Sequence, residues 1–247
     1  MDKLKVIKAK TRAKIGQLAA DAVYEKIEEL MLNHATLNII FAAAPSQNEF
    51  LENLIQKPIK WDRINAFHMD EYLDLPAEAP QGFGNFLSNA LFNKVSFRSV
   101  NFLNGNPVIA EKECERYAQL IENNPPNIVC MGIGENTHIA FNDPHVANFE
   151  DPEKVKMVNL DEPCRQQQIN DGCFSKINDV PTHALTLTIP TLMSADHVFC
   201  VVPGTQKAKA VHHTLYSPIT DAFPSTILRK HPSAILYVDE HSGVSVD

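Results

Sequence analysis

The chain has no basic excess, no paired cysteines, no long apolar run and no compact metal-binding motif, and each absence narrows what it does. Its 247 residues carry 22 Lys and Arg against 30 Asp and Glu, a formal net charge of −8. Nucleic-acid backbones need the opposite balance, so nucleic acid is not expected as a partner. A small anionic substrate held by one or two local cations stays compatible. The five cysteines, Cys114, Cys130, Cys164, Cys173 and Cys200, are odd in number and include no C-x-x-C pair. Cys130 and Cys200 lie inside apolar runs, where cysteine packs as a small hydrophobe. This argues against a disulfide framework and for a reducing compartment. No apolar run approaches the ~20 residues that cross a bilayer. The opening MDKLKVIKAKTRAKIG has no apolar signal core. A cytoplasmic protein with no membrane partner is expected. Neither H-E-x-x-H nor C-x-x-C spacing occurs, so His68 with Asp70, or His138 with Asp143, is a poor metal site, and no metal is expected.

What is present is an ordinary globular composition, 44% hydrophobic and 21% charged, with apolar strand-like runs alternating with helical patterns. Runs at Leu37–Ala44, Ile64–Phe67, Val100–Leu103, Ile128–Met131, Val155–Leu160, Ala184–Ile189, Val198–Val202 and Ala234–Val238 read as strands. Val6 and Ile7 begin a strand or an N-terminal arm. Thr11 caps a helix to about Asn33, and Ser46 with Glu49 forms a capping box for a helix through Ile55. Helical patterns also cover Gly82–Asn93 and Ala110–Ile121, and a helix following Gly204 ends near Tyr216. Cys164–Phe174, CRQQQINDGCF, reads as a polar segment whose three glutamines do not suit a core. There is no repeat, low-complexity tract or linker. The expected fold class is α/β, a doubly wound, mostly parallel sheet with helices on both faces, in one domain over residues 1–247.

In such sheets ligands sit beyond the carboxyl ends of the strands. Polar groups cluster there. The stretch NIVCMGIGENTHIAFNDP from Asn127 to Pro144 passes from a buried run through Gly132 and Gly134 to Asn136, His138, Asn142 and Asp143. Asp70 and Glu71 follow the run ending at Phe67. The Ser46 turn offers amides to an anion, and Lys207 opens a helix. An acid pair, a histidine with its own carboxylate and a lysine suit proton transfer on a small polar substrate with an anionic end. Singly, Asp70 could be a helix cap and Lys207 a solvated lysine; jointly those readings are weak. Gly132-x-Gly134 lacks the third glycine of a dinucleotide fingerprint.

Five motifs in order carry a resemblance. They are H-M-D-E-Y (68–72), G-I-G-E-N-T-H-I-A-F-N-D-P (132–144), T-H-A-L-T (182–186), G-T-Q-K (204–207) and H-P-x-A-I (231–235). Together they resemble the glucosamine-6-phosphate deaminase/isomerase family, over about Leu37 to Ser242, and favour its amino-sugar branch over the related 6-phosphogluconolactonases. The resemblance implies a small-molecule sugar phosphate as partner, no cofactor, and Asp70, Asn136, His138 and Asp143 as catalytic residues. It places Ser46, Gln47, Asn48, Glu71, Arg165 and Lys207 at the substrate. His138 would protonate the ring oxygen, Asp143 would orient it, Asp70 would move a proton between C2 and C1, and Lys207 would hold phosphate. A homo-oligomer is allowed. There are departures. Asn136-Thr137 replaces the usual aspartate and glycine before the histidine. Asp143 stands where many members have glutamate. Pro45-Ser46-Gln47-Asn48-Glu49 replaces a glycine-rich phosphate turn. The clamping arginine has no clean match, and Arg165 with the Gln166–Gln168 run is expected to swing in for it. The chain stops soon after the last strand, so allosteric regulation through a longer tail is not expected.

Overall fold

The structure is a computed structural model that describes residues 4–246. Seven parallel strands form the main sheet: β1 (Lys5–Ala9), β2 (Leu37–Phe41), β3 (Ile64–His68), β5 (Ser99–Asn101), β6 (Ile128–Met131), β9 (His197–Val202) and β10 (Ala234–Asp239). Their spatial order is β1-β10-β9-β6-β2-β3-β5. Strand residues alternate between two apolar layers, as a period of two requires. Ile39, Phe41, Cys130, Phe199 and Val201 face the layer shared with α1 (Arg12–Met31) and α2 (Asn48–Leu54). Ile40, Val129, Met131, Cys200 and Val202 face the layer shared with α4 (Ala110–Asn123) and α7 (Ala208–Tyr216). Both faces are covered, so the strands read as near-continuous apolar runs. α1 begins as expected. The Thr11 hydroxyl accepts the Lys14 amide at 3.2 Å, and Ile15, Ala19, Val23 and Ile27 form its buried stripe.

Four expectations are corrected. The strands at Val155–Leu160 and Ala184–Ile189 leave the main sheet. As β7 (Val155–Asn159) and β8 (His183–Leu187) they pair antiparallel with β4 (Asp70–Tyr72) in a separate three-stranded sheet. Apolar periodicity identifies a strand but not the sheet it joins. The run at Ala234–Val238 is not the sheet edge, because β1 lies outside it with Lys5 opposite Ile235. Ser46 caps no helix: the turn opens on Ala44 with no side-chain cap, and Glu49 pairs with the Arg12 guanidinium at 2.5 and 2.9 Å instead. The polar Cys164–Phe174 segment is largely α5 (Glu162–Asn170), capped by Asp161, whose carboxylate accepts the Cys164 amide at 2.8 Å.

His68, at the end of β3, is fully buried. Its Nε2 accepts the Leu103 amide at 2.8 Å, and its backbone is bracketed by the Tyr117 hydroxyl. Burial lowers its pKa to about 4, so the imidazole is neutral in the fold and protonated in the unfolded chain between about pH 6.5 and 4. In that window the unfolded state binds more protons, and stability falls as pH falls. The contribution amounts to about 3 kcal/mol at most. His68→Gln keeps an acceptor for Leu103. Its stability, measured by urea unfolding, is expected to lose less than the wild type between pH 7 and pH 4.5; parallel losses would show that His68 does not carry the effect.

Candidate active site

A cavity of about 390 Å³ lies beyond the carboxyl ends of β2, β3, β6 and β9. It brings together Ser46, Asp70, His138 and Lys207, with Gln167, Gln168 and Asp171 from α5. Asp70 reaches it because the chain crosses from β3 into β4 at Met69, which turns the carboxyl over the end of the main sheet. The side chain is 6% exposed. Burial, and then the charge of Glu71, hold its pKa well above the ordinary aspartate value.

Opposite stands the loop after β6. His138 Nδ1 lies 2.9 Å from Asp143 Oδ1 and 2.7 Å from Asn136 Oδ1, and the Asn136 amide donates to Asp143 Oδ1 at 2.8 Å. Burial pushes the fully buried Asp143 carboxyl up, but the His138 charge and hydrogen bonds from His138, Asn136 and Cys164 outweigh it and hold the pKa low. Asn136 thus bridges histidine and carboxylate as a neutral donor and acceptor, which an aspartate there could not do without setting two carboxylates against each other. The loop is strained: Thr137 and Ala140 have φ of 75° and 48°. For a β-branched residue that conformation is costly, and the buried Thr137 hydroxyl has no hydrogen-bond partner.

Gly134 lies directly beneath the His138 ring; a Cβ there would sit 2.2–2.4 Å from three ring atoms. Gly134→Ala must therefore displace the imidazole. Misplacing a reacting group by about 1 Å can cost ~10²-fold, so kcat is expected to fall about that far while the thermal midpoint moves little. An alanine variant with wild-type turnover would mean that the ring position is unimportant.

Lys207 is 6% exposed, and its ammonium makes no hydrogen bond or ion pair among the described residues. Burial lowers its pKa, partly offset by the charges of Asp171 and Glu135. Gln168 is equally buried on the cavity wall, and its amide is likewise unpartnered. Gln167 instead accepts the Glu135 amide at 2.7 Å. Gln47 lies behind the Ser46 turn, where it donates to Ser46 Oγ and the Val201 carbonyl, both at 3.1 Å.

Six of the ten expected site residues do not line the cavity: Asn136 and Asp143 stand behind His138, Gln47 behind Ser46, and Arg165, Glu71 and Asn48 lie elsewhere. Arg165 turns away on α5 and donates to the carbonyls of Ile177 and Val180 at 2.6 and 2.9 Å, beside a different groove. A guanidinium held by carbonyls 12 and 15 residues downstream does not swing in. Glu71 accepts the amides of Tyr72, Phe83 and Gly84 at 2.8–2.9 Å, anchoring the start of α3 (Phe83–Leu87). Asn48 opens α2 outside the cavity lining. Of the Gln166–Gln168 run expected there, Gln167 and Gln168 do line the cavity; Asp171 was missed, and its i, i+3 spacing from Gln168 was the available signal once α5 is recognised as a helix.

Residues 10–236 match the family model described as glucosamine-6-phosphate isomerases/6-phosphogluconolactonase. The chain belongs to this family. Among its curated relatives, glucosamine-6-phosphate deaminases of Bacillus thuringiensis (strain Al Hakam) and Bacillus cereus (strain AH820) are each 32% identical over 223 residues, 90% of this chain and 83% of theirs. A solved structure of a monomeric glucosamine-6-phosphate deaminase superposes with TM-score 0.87 at 27% identity, covering 98% of this chain and all of the other. The 6-phosphogluconolactonase of Thermotoga maritima superposes with TM-score 0.79 at 17% identity over 96% of this chain and all of its own, a likeness of fold. In this isomerase/lactonase family member Asp70 and His138 line one cavity, with Asp143 buried behind the His138 ring. Two metal-sized clusters occur, His138–Asp143–Cys164 and Asp143–His145–Asp161. Both share Asp143, whose Oδ1 already serves His138 and Asn136.

Proposed function

We propose that the protein is an amino-sugar phosphate deaminase/isomerase, converting an amino-aldose 6-phosphate such as glucosamine 6-phosphate, or its C4 epimer, to a ketose 6-phosphate and ammonia. The observation that carries it is the buried Asp70 carboxyl, its pKa raised, lining the same cavity as His138, which is paired with the buried Asp143. His138 donates a proton to the ring oxygen as the C1 hydroxyl loses one, and the open-chain aldehyde forms. Asp70 takes the C2 proton, leaving an enolamine, and returns it to C1 to give the C2 imine. Water then adds at C2 and ammonia leaves. A carboxylate with a raised pKa is better matched to carbon acids than an ordinary one. Lys207 is the cation for the phosphate end. No step calls for a cofactor. No helix among the described residues is long and apolar enough to cross a membrane; with five free cysteines, a cytoplasmic setting is the one we infer.

The deciding experiment incubates purified protein with glucosamine 6-phosphate and galactosamine 6-phosphate and measures ammonia and ketose separately. Equimolar release of both is expected with at least one sugar; ketose without ammonia from a plain aldose phosphate, or lactone hydrolysis alone, would replace this reading. Lys207→Ala and Gln168→Ala are each expected to raise KM, the lysine more. Loss of one charge-assisted hydrogen bond is worth about 1.5–3 kcal/mol, roughly 10- to 150-fold. Unchanged KM in both variants, with no inhibition by inorganic phosphate, would remove the phosphate end from this wall.

A further inference from the structure

Asp143 is completely buried, yet only one of its carboxylate oxygens is satisfied. Oδ1 takes His138 Nδ1 at 2.9 Å and the Asn136 amide at 2.8 Å. Oδ2 has no hydrogen-bond partner. A buried anion with an unmet oxygen is costly and free to rotate off its partner. The side chain available to it is Cys164, 1% exposed, in the first turn of α5. Its sulfur lies within 4.8 Å of both the Asp143 carboxylate and a His138 ring nitrogen. Asp161 fixes that position by capping α5 through the Cys164 amide. Cys164 does not line the cavity and so does not meet the substrate.

We propose that Cys164 is a positioning residue, its thiol donating to Asp143 Oδ2 and so locking the carboxylate that orients His138. The thiol must then stay protonated, and it does: burial first, then the Asp143 charge, push its pKa far above the ordinary thiol value. A hydrogen bond from Cys164 is among those that hold Asp143 low. The other titratable groups around the pair are His145 and Asp161, which form a cluster with Asp143, and Asp70, Tyr72 and Lys207, each electrostatically coupled to Cys164. None supplies an N–H or O–H donor to Oδ2.

The inference rests on the deaminase reading for its kinetic arm and has a second arm that does not. Cys164→Ala and Cys164→Val remove the donor, with and without the volume; Cys164→Ser keeps one. Expected results are a kcat lower by about tenfold in Ala and Val with KM near wild type, an acid limb of kcat/KM shifted to higher pH as Asp143 loses a donor to its charged form, and recovery of both in Ser. Equal kcat and pH profile in all four proteins would overturn the proposal, and so would Ser falling as far as Ala, which would mean packing alone. If the wild type turns over no amino sugar, the function fails, but the positioning is still read by nitrogen NMR of the His138 ring. Its titration is expected to move in Ala and Val and to return in Ser; an unmoved titration would again overturn it.

Discussion

Replacing Asp70 by asparagine is expected to stop the reaction and leave the fold intact or firmer. Asparagine fills the same volume on β4, where Asp70 pairs with Thr186 through the backbone, so the strand keeps its register. What is lost is the one carboxyl that the cavity both buries and keeps apart from the histidine. A general base contributes about 10²–10⁴-fold, and deuterium exchange from solvent into the sugar should fall by that order. The stability consequence has a definite sign. Burial raises the folded pKa of Asp70 well above its ordinary value, so the wild-type fold loses stability as pH rises past the unfolded aspartate value of about 3.9. Asparagine carries no such penalty. The variant should therefore be at least as stable as the wild type at pH 7, with any gain fading in strong acid. An active Asp70→Asn protein, exchanging deuterium at the wild-type rate, would sink the assignment of the base.

His138→Gln is the second large effect. The imidazole is held by Asp143 and Asn136 over Gly134, a geometry that leaves one task for it, proton donation at a fixed point of the cavity. On the cyclic substrate the loss is expected to be ~10²–10⁴-fold, the range for one general acid. On an open-chain analogue, which needs no ring opening, the loss should be several-fold at most. Equal losses on both forms would move His138 to another step. Asn136→Asp, which restores the family's usual acid, is not expected to help. It would set a second carboxylate where the amide now donates to Asp143 at 2.8 Å, and two like charges that close cannot both ionise easily.

The strained Thr137 fits the same picture. A threonine at φ 75° with an unpaired buried hydroxyl persists only where surrounding contacts dictate the backbone. Here the Thr137 carbonyl accepts the Ser225 amide at 2.9 Å and its amide reaches the Gly134 carbonyl at 3.0 Å. The loop is pinned on both sides of the histidine it presents.

By itself the sequence determined the α/β class and most helices and strands, and it singled out Asp70, His138, Asp143 and Lys207 as candidate site residues, of which Asp70, His138 and Lys207 line one cavity. These are local matters: apolar period identifies an element, and in a parallel sheet a polar group just past a strand is carried to one edge whatever the rest of the chain does. Tertiary structure alone decided sheet membership, since β7 and β8 read as strands like any others but pair apart from the main sheet, with β4, which the sequence did not mark as a strand. It also decided how each charged group is used. Glu49 was expected to cap a helix and Glu71 and Arg165 to meet substrate, yet they find partners 37, 12–13 and 12–15 residues away in the chain. Spacing cannot foresee such pairings, because a long polar side chain settles on whichever buried partner the fold brings within hydrogen-bond reach. The same physics worked in reverse at Gln168: a residue of a run that did not suit a core became a buried polar group on the cavity wall, beside the equally buried Lys207.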